Sequence, residues 1–313
     1  MKYVIKKIIT MLITLFAVSA LVFFAFSIIP GNPAVAKLGT EATEESIAKL
    51  TAEMGLDRPV MERFGEWILG ILKGDFGTSY SYNQSVKSLL AEKIVVTMLL
   101  SLLAILITVV LSFPLGIYTA RKSDSRIDII LTGINQFIMS IPPFFSGILI
   151  TLIFGVIFKW FTPGGFISYK KDFWGCVGYL FFPALSIALP KISMVVKLLK
   201  DTALSEADKD YVRTAYSRGN RTKAVFYKHV LKNAIIPVIT FLGMTFADII
   251  AGSIIVEQVF SVPGLGRILL TSISGRDYPV VEAIILLLAV MVVISNLLVD
   301  LLYKKLDPRI SVE

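Results

Sequence analysis

Few residues in this chain could do covalent or metal chemistry. It holds one histidine, His229, and one cysteine, Cys176. A histidine-based catalytic triad and a two-histidine zinc site are therefore out of reach, as are an intramolecular disulfide and a multi-cysteine metal site. No Gly-Lys dipeptide occurs anywhere, which excludes a phosphate-cradling loop of the form G-x-x-x-x-G-K-[ST]. What remains is a pair of acids inside apolar runs and a dense basic stretch, RTAYSRGNRTKAVFYKHVLKNAIIP, from Arg213 to Pro237. Two aspartates sharing a proton can cut peptide bonds inside a membrane, and Asp248 and Asp300 are the candidates. At roughly 1.5 Å per residue, Asp248 lies about 20 Å from the inner end of its run, whereas Asp300 is about one turn from the inner end of its own. Their depths disagree, which speaks against a dyad, and Asp300 reads as interfacial. Asp248 is a costly intramembrane acid and hence a candidate for a substrate path. Lys191 either pairs with it or snorkels to the inner face. Cys176 reads as packing near a span end, and His229 as structural.

The elements that must position these residues are membrane helices. A chain of 313 residues with 55% hydrophobic and 17% charged residues, at a mean hydropathy of +0.76, lies outside the usual composition of soluble domains. Six apolar runs are long enough to span a bilayer: Ile8 to Ile29, Ile94 to Thr119, Ile129 to Phe158, Val177 to Val196, Ala234 to Val256 and Ala283 to Leu302. The first is too long for a signal-peptide core and reads as a retained helix despite Ala34-Val35-Ala36 beyond it. The third contains Pro142-Pro143, where a missing amide donor and a ring clash should kink the helix, either to shape a pathway or to fit packing. Pro183 and Pro190 fall inside the fourth run. Trp160 and Trp174 bracket the connection before it, as interfacial aromatics do.

Lys and Arg set the orientation. With the N-terminus inside, that side receives Lys2, Lys6, Lys7, then Arg121, Lys122, Arg126, then Lys197 to Lys232, then Lys304, Lys305 and Arg309. The expected fold is thus all-α and integral to the membrane, a single domain over 1–313 with both termini cytoplasmic, a large external loop at 30–93 and a basic cytoplasmic loop at 200–233. The net charge of +8 is explained by this topology, and a nucleic-acid partner is set aside. In the external loop, Thr43 before Glu44 and Glu45 reads as a capped helix start. Val60, Met61, Phe64, Trp67, Ile68, Ile71 and Leu72 form an apolar face expected to lie on the outer membrane surface or to meet a delivery protein.

In the basic loop, charge alone would serve topology and anionic lipid, but the order of residues carries more. Asp210 to Arg218 can form a short helix, and Gly219-Asn220 a turn tolerant of positive φ. Thr222 is placed to cap a second helix running to Asn233, with Pro237 just inside the next span. Such a helix-turn-helix is a rigid knob on which a soluble motor could push.

At these residues the chain resembles the permease subunits of ATP-binding-cassette (ABC) importers, specifically the first permease of the peptide and nickel import family. The generic EAA-x-x-x-G loop is represented by Arg213-Thr214-Ala215 and Gly219, with the leading Glu and middle Ala replaced. The peptide/nickel form is matched by Asp210-Tyr211-Val212-Arg213-Thr214-Ala215, Gly219, His229, Leu231, Asn233-Ala234 and Pro237. Pro30-Gly31-Asn32-Pro33, Gly55-Leu56-Asp57-Arg58-Pro59, Gly74-Asp75-Phe76-Gly77-Thr78-Ser79 and Ser140-Ile141-Pro142-Pro143-Phe144 extend the resemblance along the chain. So do Glu257, Phe260, Pro263-Gly264-Leu265-Gly266-Arg267, Arg276-Asp277-Tyr278-Pro279 and Asp307-Pro308-Arg309.

The resemblance implies a non-catalytic subunit of the bacterial or archaeal cytoplasmic membrane. It also implies a coupling helix, carried by Tyr211, Arg213, Thr214, Ala215 and Gly219, that docks on a separate ATPase. ATP and Mg would be bound by two such ATPase subunits and not by this chain. A second, homologous permease would complete the path, for which Pro142, Pro143 and Asp248 are this chain's candidates. An extracytoplasmic solute-binding protein would meet Glu257, Pro263, Gly264, Gly266 and Asp277. The expected cargo is short peptides, with nickel or a metal chelate as the alternative. A self-contained ion-coupled carrier would need paired broken helices and midplane ion sites, for which only Asp248 speaks.

Overall fold

The computed structural model describes residues 2–39, 42–123 and 125–306. The motif Asp307-Pro308-Arg309 and the side chains of Lys2, Asp300, Lys304 and Lys305 lie outside what is described. Helices α1 to α13 run Lys2–Ile28, Pro33–Leu38, Glu44–Glu53, Val60–Leu72, Val86–Arg121, Arg126–Ser140, Pro143–Ile150, Phe173–Ala207, Asp210–Ser217, Thr222–Val225, Leu231–Val259, Leu265–Ser274 and Tyr278–Leu306. Wider π turns continue α7 over Thr151–Ile157 and join α10 to α11 over Phe226–Val230. Five helical stretches are long and apolar enough to cross a membrane, and a bent pair, α6 with α7 and its extension, makes up to six. The fold is all-α and multi-pass.

The chain divides into two compact units, one of Met1–Thr97 with Pro263–Val293, the other of Met98–Val262 with Ile294–Glu313. In the first, Thr43 caps α3 by accepting from the Ser46 amide while Ser46 reaches back to the Thr43 amide, a reciprocal capping box. The apolar face of α4 packs in part against α1. Its Phe64 ring packs against Phe16, Phe23 and Phe24 of α1, and Trp67 against Phe23. Met61, Leu69 and Leu72 remain exposed.

In the second unit α8 is the axis, packed by α6, α7 and α11. Small residues allow close approach: a Cβ added at Gly116 would come within 2.8 Å of the Leu199 side chain. Two prolines sit inside α8. Because Pro190 has no N–H, the Ser186 carbonyl loses its helical donor. Ser146 Oγ on α7 lies 2.8 Å from the Pro143 carbonyl of its own helix and 3.0 Å from the Ser186 carbonyl, so its one proton is shared between them, and a helix defect is partly satisfied by a neighbouring helix, as apolar surroundings demand. Asn135 of α6 likewise donates to the Ser193 carbonyl at 2.9 Å. The buried pair of Lys200 and Asp128, at 2.7 Å, ties α8 to the first turn of α6.

Candidate functional site

The basic loop folds as its sequence order suggests, with one correction. Helix α9 presents Val212 and Ala215 inward to a cluster of Ala120, Ala203, Val225, Val230 and Ala234, and turns Arg213, Thr214 and Gly219 to the exterior. Tyr211 anchors it: its hydroxyl donates to Glu206 at 2.6 Å and accepts from Asn233 Nδ2 at 2.9 Å. Burial, followed by that bond to Glu206, raises the tyrosine's pKa and keeps it a neutral donor. Lys209 also bonds Glu206, which raises its own pKa. Tyr211 therefore joins the end of α8, α9 and the start of α11. Gly219 closes α9 at φ +81, a conformation that costs side-chain-bearing residues about 1–2 kcal/mol. Asn220 Nδ2 then satisfies the Ala215 carbonyl at 2.9 Å.

The expected second knob helix is not separate. The N-cap of α10 is Arg221 without a side-chain bond, not Thr222, and α10 runs through the π turn into α11, giving a continuous Thr222–Val259 helix with Pro237 inside. The loop is a single short helix braced on the foot of a long one. His229 offers its carbonyl to Asn233 at 3.3 Å.

Among the candidates for a path, Pro142 caps α7 and Pro143 opens it, and the two halves of the bent pair meet at 101°. Their break contributes Ile138, Ile141 and Ser146 to a small apolar cavity closed by Leu189 and Pro190 of α8. The next residue, Lys191, reaches Asp248 of α11 at 3.0 Å, with Asp248 66% and Lys191 16% exposed in the single chain. The break and the ion pair are thus adjacent through α8. Sequence reading left the partner of Asp248 open and missed Asp128 with Lys200. Seventy-two positions separate those two, and only their places at the edges of apolar runs mark them.

Near the end of α11, Glu257 is fully buried in the second unit. In the first unit Asp277, also fully buried, accepts from Ser79 Oγ at 2.5 Å, the Tyr80 amide at 2.9 Å and the Ser81 amide at 3.1 Å. Its neighbour Arg276 donates to the Pro30 carbonyl at 2.6 Å. The guanidinium lies where a Cβ on Gly31 would sit, only 1.5 Å away, and Gly31 has φ +118. Three sequence motifs, at 30–33, 74–79 and 276–279, are therefore one interlocked structure. Gly264 caps α12, and the Leu265 amide donates to Thr97 Oγ1 at 2.9 Å. Gly264 and Gly266 are buried and Pro263 partly so. Among the described residues, no group of three His, Cys, Asp or Glu could hold a metal ion.

A short, exposed helix braced on the long helices of a multi-pass fold is compatible with a transport subunit, and comparison with known proteins defines the class. Residues 112–312 match the family described as binding-protein-dependent transport system inner membrane component, and residues 1–102 match the N-terminal family of such components. The chain belongs to this family: it is a membrane-spanning, non-catalytic permease subunit of an ABC importer. It is 33% identical to a putative peptide transport system permease protein of Brucella suis over 98% of both chains. It is 30% identical to the oligopeptide transport system permease protein AppB of Bacillus subtilis over 99% of both. To the glutathione transport system permease protein GsiC of Salmonella typhi it is 34% identical, again over 99% of both. A crystal structure of an amino acid ABC transporter with histidines shares its fold, with a TM-score of 0.53 at 18% identity, covering 70% of this chain and 94% of that one.

Proposed function

We propose that this permease forms half of a translocation path for short peptides. It has six spans, both termini inside, the segment 30–93 outside and the loop 200–233 inside, and works as one domain. The observation that carries the cargo is the full-length similarity to permeases named for peptide, oligopeptide and glutathione transport. A second, homologous permease supplies the other half, two ATPase subunits bind ATP and Mg, and a solute-binding protein delivers the peptide.

The α9 surface around Arg213, Thr214 and Gly219 is the docking knob for the ATPase. Because Tyr211 bonds both α8 and α11, a push on α9 is delivered to two spanning helices together. Those helices carry Lys191 and Asp248, and the α6–α7 break at Pro142-Pro143 abuts α8, so the push reaches the candidate path. Pro263, Gly264, Gly266, Asp277 and Glu257 shape the outer connection that receives the binding protein. Reconstitution of the full complex tests the cargo: ATP-dependent uptake of labelled tri- and tetrapeptides is expected. Accumulation of nickel without peptide would replace this reading by the metal alternative.

A further inference from the structure

A cavity of about 340 Å³ lies in the second unit between α5, α6 and α8. Its walls change character along the helices. Leu111, Ile138, Leu189 and Ile192 line one end, and Thr119, Lys197, Lys200 and Asp201 line the other. The polar end lies at the level of lipid headgroups. Lys200 bonds Asp128 in the first turn of α6, and the α5–α6 junction holds Arg121, Lys122 and Arg126, the clustering expected where spans leave the bilayer. Leu189 is about 16 Å deeper along α8, at roughly 1.5 Å per residue, close to half of a hydrocarbon core of about 30 Å. The cavity therefore crosses one leaflet.

At its mouth Lys197 and Asp201 are exposed, one helical turn apart. Among the described residues neither has a hydrogen-bond or ion-pair partner. Most other polar side chains of the wall are already engaged: Thr119 bonds the Leu115 and Gly116 carbonyls, Thr132 and Lys200 bond Asp128, and Asn135 bonds the Ser193 carbonyl. Ser193 and Gln136 remain. They are too few for the successive amides of a peptide, which would be buried unsatisfied. An acyl chain asks for no such partners. Toward the water along α8, the order Leu189, Lys197, Asp201 repeats the order of acyl chain, phosphate and ammonium in phosphatidylethanolamine. We infer that this cavity binds one phosphatidylethanolamine molecule, with a chain reaching the Leu189 end, the phosphate on Lys197 and the ammonium on Asp201. Arg121, Lys122 and Arg126 nearby attract any anionic lipid. Asp201 turns the site toward a zwitterion whose ammonium carries N–H donors.

The test titrates the purified full chain, stripped of lipid in detergent, with dioleoyl phosphatidylethanolamine, phosphatidylcholine and phosphatidylglycerol, and counts bound lipid by native mass spectrometry. One phosphatidylethanolamine should bind at least about fivefold more tightly than either of the others. Lys197→Gln should weaken all three lipids, whereas Asp201→Asn should abolish the preference for phosphatidylethanolamine and leave phosphatidylcholine unchanged. Both positions are exposed, so the thermal midpoint without lipid should stay at the wild-type value. Leu115→Phe and Leu131→Phe narrow the apolar part and should weaken every lipid. Soluble glycerophosphoethanolamine, which lacks the chains, should not compete. Equal binding of phosphatidylethanolamine and phosphatidylcholine, tighter binding of phosphatidylglycerol, or an unchanged preference in Asp201→Asn would overturn the inference. Wild-type binding in both phenylalanine variants would overturn it as well. Release of the lipid when the second permease assembles would also overturn it and assign the cavity to that subunit.

Discussion

Single residues hold the connection before α13 and the turn after α9 in shape. Asp277 is the clearest case, a buried carboxylate accepting from Ser79 Oγ and two successive amides. Asp277→Asn keeps the volume but removes the charge and turns an N–H toward donors. A loss of about 2–3 kcal/mol is expected from charge-assisted bonds of this kind, readable as a thermal midpoint lowered by several degrees. The same change should release the 79–81 segment to protease. An unchanged midpoint would mean that the clamp is not formed in the membrane. At Gly219 a Cβ would meet nothing within 4 Å, so the intolerance expected there comes from φ or from a docked partner. Gly219→Asn separates the two, because asparagine enters the left-handed region with little strain.

At the scale of elements, the break between α6 and α7 and the proline-interrupted α8 depend on one another. Ser146→Ala leaves the Ser186 carbonyl unpaired and should cost about 1–2 kcal/mol. Pro190→Ala restores an N–H at position 190 for that carbonyl. The double variant should therefore recover at least half of the Ser146→Ala loss, a non-additivity measured by a double-mutant cycle in denaturant or heat. Strict additivity would show that the cross-helix bond carries nothing.

These cases also mark how far the sequence could be read. Long apolar runs and adjacent prolines specify helices and their breaks locally, so the spans, the Pro142-Pro143 bend and the Thr43 cap were legible. The Tyr211 brace, the Asp277 clamp and the Lys200–Asp128 pair join residues from about 20 to nearly 200 positions apart, and no local pattern encodes such pairing. Thr222 failed as a cap because the helix begins one residue earlier than expected: Arg221 takes the N-cap position, and Thr222 is already the first residue of a helix continuous with the following span.

For the whole molecule, the topology itself is testable because the single cysteine is buried, which keeps background labelling low. An impermeant maleimide should label Gln84→Cys from outside intact cells and Ser217→Cys only after permeabilisation. Labelling of Ser217→Cys in intact cells would place the basic loop on the wrong side for any cytoplasmic ATPase. The central claim is that a permease without nucleotide chemistry of its own is driven through α9. Its most direct measurement is peptide uptake per ATP hydrolysed by the reconstituted complex carrying Gly219→Asp beside Gly219→Asn. The account predicts that Gly219→Asp lowers uptake at least about tenfold, equivalent to roughly 1.4 kcal/mol of lost coupling, while ATP is still hydrolysed and Gly219→Asn transports near normally. Wild-type uptake per ATP in Gly219→Asp, or uphill peptide accumulation by the purified chain alone, would contradict it.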